Sequence, residues 1–374
     1  MKLSTKLSKI IAKVNFNNSF FSFGKTIIEG VIKVEIVHDY KSIPLTSAEI
    51  GYLWLTYLLN SKAKQIITYA VETSEDENIK EIMQESVNLS NKNTEVSKEI
   101  FLSVAHPVPY GFSEYDIKLK SGKLYSDKLM LQTLKLYLTV GISQYGFALG
   151  LAARKDVKAF FYESMQDSLK LLNKIDNVAL NKGIFMRTPN IPVPNQVEFA
   201  ENKSIMGRFI GHKRPMTALE AASMFNTSIS NYITKANIMG LAQTMKDDKI
   251  RDFYEKIVRT LKEHTEDLNV KLQNENLLTP SNLNSEILNS TESPFSDRLS
   301  MYYAYTLMGD LLGTYAISKI NVVRKDLMLA LTHLSGEVLL LIKDASDIMT
   351  ERGWYEEMPK NVDRYDIIDS NEKE

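Results

Sequence analysis

The sequence predicts an all-α protein made of two tandem four-helix bundles, and three observations support this fold class. First, PLTSAE at 44–49 returns as PMTALE at 215–220, and further matches follow at an offset of 171 and then 170 residues. Such an offset, kept over about 140 residues, indicates a duplicated unit. Second, each copy contains four stretches with helical periodicity. Third, all ten prolines lie outside these eight stretches, as expected because proline breaks a helix interior.

Capping signals predict where these helices begin and end. The first helix of each copy opens with a capping box, formed by Thr46 with Glu49 and by Thr217 with Glu220. The second helix of each copy follows a polar turn, SEDEN in one and KDDK in the other. The remaining signals are the N-caps of the third helices, the starts of the fourth and the glycines that end them: Ser126 and Ser296, Asp156 and Asp326, Gly183 and Gly353.

The connections predict a ferritin-like arrangement of each bundle. About 20 residues join the second helix to the third, whereas the outer turns are short, and this is the connectivity of ferritin-like bundles. The predicted segments are an N-terminal extension, a first four-helix bundle, a linker, a second four-helix bundle and an acidic tail: 1–43, 44–186, 187–214, 215–358 and 359–374. The extension is rich in β-branched residues and is predicted to contain a strand or hairpin.

Several of the repeated motifs carry a resemblance to a known family. They are LTSAEIGYLW (45–54), ARKDVKAFF (153–161) and RTPNIPVP (187–194), with RKDL (324–327) and ERGW (351–354) in the second copy. The chain resembles a family of duplicated, uncharacterised ferritin-like proteins, a domain of unknown function from spore-forming Gram-positive bacteria. The resemblance covers roughly residues 42–358. It implies a fold and a taxonomic setting, but no reaction; a distant similarity of fold to spore-coat proteins is an analogy only.

Composition excludes several classes of function. The formal net charge is −1, so no overall field attracts nucleic acid. There is no cysteine, which excludes thiolate catalysis and disulfides and agrees with a cytoplasmic protein. No apolar run approaches the roughly 18 residues that a transmembrane helix needs. The predicted partners are therefore an unknown protein or further copies of the chain, without nucleic acid and without a transmembrane segment.

A ferritin-like fold raises the question of a di-iron centre, which needs a Glu from two helices and Glu-x-x-His from the other two. Of the five histidines only His38 has a Glu three residues before it, Glu35. This pair lies on the predicted strand, where residues three apart point to opposite faces. The sequence therefore does not predict a standard di-iron oxidase.

A weaker metal site is predicted in the second copy. His264 lies on the apolar seam of the second helix, and His333 and Glu337 lie one turn apart on the fourth. Two imidazoles and a carboxylate on facing helices can hold iron, zinc or manganese. The alternative interpretation is a core histidine that is hydrogen-bonded to a carboxylate. The first copy has Asn93 in place of His264, and it supports a metal site less well.

Two other repeated polar motifs are each open to two interpretations. Arg154-Lys155-Asp156, which returns as 324–326, either binds an anion at a helix N-terminus or caps the helix through Asp156 with its basic pair exposed. The second motif is Asn60 with Lys64, which returns as Asn231 with Lys235. It either pairs with acidic residues of the fourth helix in a polar network inside each bundle or lies on a solvated flank with a snorkelling lysine.

Three functions follow from these observations. The leading interpretation is a non-catalytic structural or interaction module with a role in stress or sporulation. The alternative is a metal-binding bundle with a site at His264, His333 and Glu337. The third is a carrier of an apolar ligand between helices, suggested by the abundance of Met and Tyr. A carrier predicts a cavity within a bundle, whereas a structural module predicts an apolar surface patch or a defined oligomer.

Overall fold

The computed structural model describes residues 43–197, 199 and 213–364, all within one compact unit, Tyr40–Glu374. Over these residues the chain forms eight α-helices and no β-strand. In the first bundle they are α1 (Ser47–Thr73), α2 (Glu77–Ser103), α3 (Asp127–Leu151) and α4 (Lys155–Asn181). In the second they are α5 (Ala218–Thr244), α6 (Asp248–Gln273), α7 (Asp297–Asn321) and α8 (Lys325–Glu351). The predicted fold class, an all-α protein of two tandem four-helix bundles, is confirmed. The strand predicted in the N-terminal extension lies outside the described residues.

The two capping boxes also hold the first helix of each bundle to the fourth. Glu49 accepts the backbone N–H of Thr46, as a capping box requires. Its second carboxylate oxygen accepts the N–H groups of Ala153 and Arg154 at 2.9 and 2.7 Å. Glu220 repeats this arrangement at the start of α8. Each carboxylate thus satisfies backbone donors at two helix N-termini.

The start of the fourth helix differs from its prediction. Arg154 is the N-cap of α4 and is buried, and its guanidinium donates to the carboxylate of Asp156, with the Nη2 contact at 2.7 Å. Arg324 and Asp326 form the same pair in α8. The expectation of a capping aspartate with an exposed basic pair is therefore wrong for the arginines. The reason is that the guanidinium folds back onto the carboxylate and also donates to a backbone carbonyl, that of Ile43 in the first copy.

The predicted stops of the fourth helices are confirmed. Gly183 and Gly353 both adopt a φ of 66°, the left-handed conformation that glycine adopts without steric cost. The N–H of Ile184 donates to the carbonyl of Ala179, five residues back, as in a Schellman motif.

The two bundles meet through their long crossovers. Each crossover contains a short 3₁₀-helix, Glu114–Asp116 or Asn284–Glu286. Ile117 forms an antiparallel bridge with Phe295, and Tyr125 forms one with Ile287. The repeat offset of 170 converts one bridge into the other, so the contact is pseudo-symmetric. Buried residues of both bundles also form one continuous hydrophobic cluster. The duplicated halves therefore pack as a pseudo-dimer within one chain.

Candidate functional site

A polar network occupies the same place in the core of each bundle. In the first, Asn93 donates to the Tyr145 hydroxyl at 3.2 Å and to Asn60 at 3.3 Å. Asn60 donates to the same hydroxyl at 3.2 Å. In the second, the Tyr315 hydroxyl donates to Asn231 at 2.8 Å. Both Asn60 and Asn231 thus belong to a polar network rather than to a solvated flank.

The three residues predicted to bind metal meet at one carboxylate oxygen. His264 is buried, and its Nε2 lies 2.8 Å from Oε2 of Glu337. Its Nδ1 lies 3.1 Å from the Tyr315 hydroxyl. His333 approaches the same Glu337 oxygen at 3.5 Å, but its side chain is 73% exposed. Burial lowers the pKa of His264, and Glu337 offsets only part of that effect.

This geometry agrees with the alternative interpretation of His264 as a hydrogen-bonded core histidine. Both of its ring nitrogens are engaged by protein groups. Across the part of the chain that the structure describes, no three His, Cys, Asp or Glu side chains are placed to hold a metal ion. Nor does a di-iron centre fit the first bundle, where amides of Asn60 and Asn93 and the hydroxyl of Ser164 occupy the core. Metal binding at His264, His333 and Glu337 stays a prediction.

The first bundle contains a cavity of about 80 Å³ beside its polar network. Side chains of α1, α2, α3 and α4 line it, together with Asp310 from α7 of the second bundle. The cavity exists because several wall positions carry small residues. These are Ser86 and Ser90 on α2, Gly141 on α3 and Ser168 on α4.

The second bundle fills the same space with aliphatic side chains. The repeat offset places Ile257, Leu261, Leu311 and Val338 at the four positions, and all four are buried. Neither copy by itself indicates this difference in side-chain size. A position-by-position comparison of the two copies shows it, because serines of the first copy interrupt an apolar seam that is continuous in the second.

Two oppositely charged side chains are buried at the cavity. Lys62 of α1 is 2% exposed and donates to the Thr306 hydroxyl at 3.0 Å. Its ammonium lies 4.2 Å from the centre of the Tyr137 ring. Asp310 is 9% exposed, and no described residue forms a hydrogen bond with its carboxylate or an ion pair within 4.0 Å of it. The pair is therefore close enough to interact but not in contact.

Burial dominates the protonation of both groups. It lowers the pKa of Lys62, although the nearby Asp310 acts in the opposite direction. It raises the pKa of Asp310, although Lys62 acts in the opposite direction there too. At the pseudo-symmetric positions the chain carries Ile233 and Val140. Only one of the two pseudo-symmetric pairs of positions therefore carries charged residues. Neither Lys62 nor Asp310 was predicted as a site residue.

The fold and this site define a class: tandem four-helix bundles in which one bundle has a polar cavity and the other carries buried aliphatic residues at the equivalent positions. The chain belongs to the family described as "Protein of unknown function (DUF3231)", whose model matches residues 37–197 and 204–367. One match covers each copy, so the predicted membership of a duplicated family of unknown function is confirmed. No curated protein matches the chain.

A solved structure is also similar to part of the chain. It is the crystal structure of a "putative spore coat protein (BH2358)" from Bacillus halodurans C-125, with 17% identity and a TM-score of 0.36. The alignment covers 43% of this chain and 100% of that one. A likeness this low carries no argument about function. Separately, none of the helices described here is long and apolar enough to cross a membrane.

Proposed function

We propose that this protein is a non-catalytic binding protein that holds a small polar molecule in the cavity of its first bundle. The observation that carries the proposal is the buried pair of Lys62 and Asp310 at a cavity wall. Burying charges costs several kcal/mol each unless they are well paired. The second copy avoids that cost with Ile233 and packs the equivalent space with aliphatic residues. Binding of a ligand explains why the first copy does not.

In this proposal the second bundle is a scaffold. It contributes Asp310 and Thr306 from α7 to the neighbourhood of the cavity, and it holds the first bundle through the shared hydrophobic cluster. The proposal keeps the ferritin-like fold that the family resemblance implies, together with a cytoplasmic location and a role in stress or sporulation. A non-catalytic role is supported by the core network of the first bundle, which is built from amides and hydroxyls that neither accept nor release a proton near neutral pH.

The test is to identify small molecules that leave the protein on denaturation. Untagged full-length chain is purified natively, denatured and analysed by mass spectrometry. The matched control is Ser86→Ile with Ser90→Leu, which places the residues of the second copy in the cavity wall. We expect a polar molecule at near-stoichiometric amount from the wild type and little from the filled variant. Equal small-molecule content in the two proteins contradicts the proposal.

A second candidate is metal binding in the second bundle. It is favoured by the meeting of His264 and His333 at one oxygen of Glu337, at 2.8 and 3.5 Å. Iron, zinc and manganese are measured by elemental analysis of protein purified without chelator, and again after reconstitution. Near-stoichiometric metal that is absent from His264→Ala supports this candidate. Trace metal that does not change in the variant rejects it.

A further inference from the structure

The size of the cavity limits what can occupy it. A cavity needs at least roughly 10–15 Å³ to hold one water molecule, so the cavity of about 80 Å³ has room for several waters or one small molecule. Cofactors and nucleotides are far larger than this volume, so the part of an occupant that the cavity buries has the size of a small metabolite.

The two charged groups both have unused bonding capacity. An ammonium group has three donors, and Lys62 directs one of them to Thr306. An ionised carboxylate is an acceptor only, and within the described part of the chain nothing donates to that of Asp310. Both groups line the same cavity and are not in direct contact, so one occupant of the cavity can contact both. The occupant must offer an acceptor at one end and a donor at the other.

The serine hydroxyls add neutral partners. Ser97 and Ser164 on α2 and α4 donate to backbone carbonyls four residues back. Ser86, Ser90 and Ser168 line the cavity, and the structure shows no such bond for their side chains over the range it covers. Their hydroxyls are therefore available to an occupant or to water.

When an occupant with opposite charges keeps both groups ionised, charge balance discriminates among small polar molecules. An anion pairs with Lys62 but is repelled by Asp310, and a cation is repelled by Lys62. A neutral polyol forms charge-assisted hydrogen bonds with both groups, but it leaves both buried charges uncompensated, which is costly. A zwitterion offers a negative end to Lys62 and a positive end to Asp310.

We propose that the cavity binds a small zwitterion of the α-amino-acid type, with its carboxylate on Lys62 and its ammonium on Asp310. This inference rests on the proposed function, and it adds the chemical class of the ligand. The aliphatic wall formed by Ile67, Leu134 and Leu138 accommodates a short apolar side chain. Glycine, alanine and serine are of the right size.

The experiment titrates the full-length protein with glycine, L-alanine and L-serine, with heat of binding and thermal stability as readouts. Acetate and ethylamine each carry one of the two charges, and glycerol carries neither. Lys62→Ile, Asp310→Val and the double variant replace the charges by the residues of the pseudo-symmetric positions, and the double variant leaves no member of the pair buried without its partner. We expect at least one amino acid to bind at least tenfold more tightly than every control compound. Either substitution should weaken that binding at least tenfold.

The possible outcomes separate this inference from the proposed function. The proposal of a zwitterionic ligand is wrong if glycerol or acetate binds as tightly as the amino acids. It is also wrong if the double variant binds the amino acids as tightly as the wild type does. If the amino acids do not bind, but denaturation releases a different molecule that depends on the open cavity, the inference fails and the proposed function stands. If nothing binds and nothing is released, both fail.

Discussion

The hydroxyl of Ser126, which caps α3 of the first bundle, donates a hydrogen bond of 2.7 Å to Glu286 in the crossover of the second bundle. The reciprocal bond, from Ser296 to Asp116, is also 2.7 Å long. Each crossover thus supplies an acidic group to the N-terminus of the other bundle's third helix, where negative charge is favourable. This exchange indicates that the two bundles fold as one cooperative unit.

Removing the charge of Glu286 should destabilise both bundles together. Lys128 also contacts Glu286, at 2.8 Å, so Glu286→Gln weakens two charge-assisted bonds. We expect a loss of about 1–3 kcal/mol in the free energy of unfolding, measured by chemical denaturation. Glu292→Gln, in an exposed part of the same crossover, is the control. Two separate transitions, or an equal effect of the control, contradict the interlocked interface.

The close contact between Gly240 and Tyr125 should not tolerate a methyl group. A Cβ on Gly240 overlaps the Tyr125 ring, whose hydroxyl donates to the carbonyl of Asn237 at 2.7 Å. We expect Gly240→Ala to cost about 1–3 kcal/mol in thermal or chemical unfolding. Gly309→Ala is a helical control whose Cβ meets no atom of the described residues within 4 Å, and it should stabilise the protein by about 0.5–1 kcal/mol. A change in the free energy of unfolding with the same sign for both substitutions contradicts the close packing of Gly240 against Tyr125.

The stability of single and double variants should show that Lys62 and Asp310 interact. Lys62→Ile leaves a buried carboxylate without its cation and should cost about 3 kcal/mol. The double variant with Asp310→Val should be close to the wild type or more stable, because apolar replacement of a buried pair is often neutral. The measurement is chemical denaturation of all four proteins. If the stability losses of the two single variants add up in the double variant, Lys62 and Asp310 do not interact.

This pair also predicts a dependence on pH. Burial raises the pKa of Asp310 above its unfolded value, so its contribution to stability is full below the unfolded pKa and is lost as pH rises through the folded pKa. Lys62→Ile removes the cation that restrains this shift. Its loss of stability should therefore be larger at about pH 8 than at about pH 5. A loss that does not depend on pH excludes Asp310 as the cause.

Glu220 should contribute stability that disappears in acid. Burial raises the pKa of Glu220, but Arg214 and backbone N–H groups, including that of Arg324, outweigh it and lower the pKa to about 2. The stabilisation is therefore present above the unfolded pKa and is lost as pH falls from about 4.5 towards 2. Glu220→Gln should remove about 3 kcal/mol at neutral pH. Glu49→Gln should cost less, because no arginine side chain bonds to Glu49 among the described residues.

His264 should make stability fall below neutral pH. Its pKa is lowered by burial, so the native state resists protonation and loses stability as pH falls below about 6.5. His264→Asn introduces the residue of the first copy, Asn93, and should flatten this dependence. The pKa is measured by NMR titration of the imidazole protons. A value above that of an unfolded histidine contradicts this account and points to a charged pair with Glu337.

The sequence by itself determined the helices, their caps and the duplication. Capping boxes, glycine stops and apolar periodicity act within a few residues, so Thr46, Ser126 and Gly183 could be interpreted correctly in isolation. His264 and Glu337 could also be placed together, because both lie next to apolar seams of helices that face each other. Only the tertiary structure decided that Arg154 is buried, that the crossovers exchange caps and that Lys62 faces a cavity beside Asp310. Those relationships join residues from 105 to 248 positions apart, as between Arg154 and Glu49 or Lys62 and Asp310. No local pattern encodes them, because they depend on how two packed bundles meet.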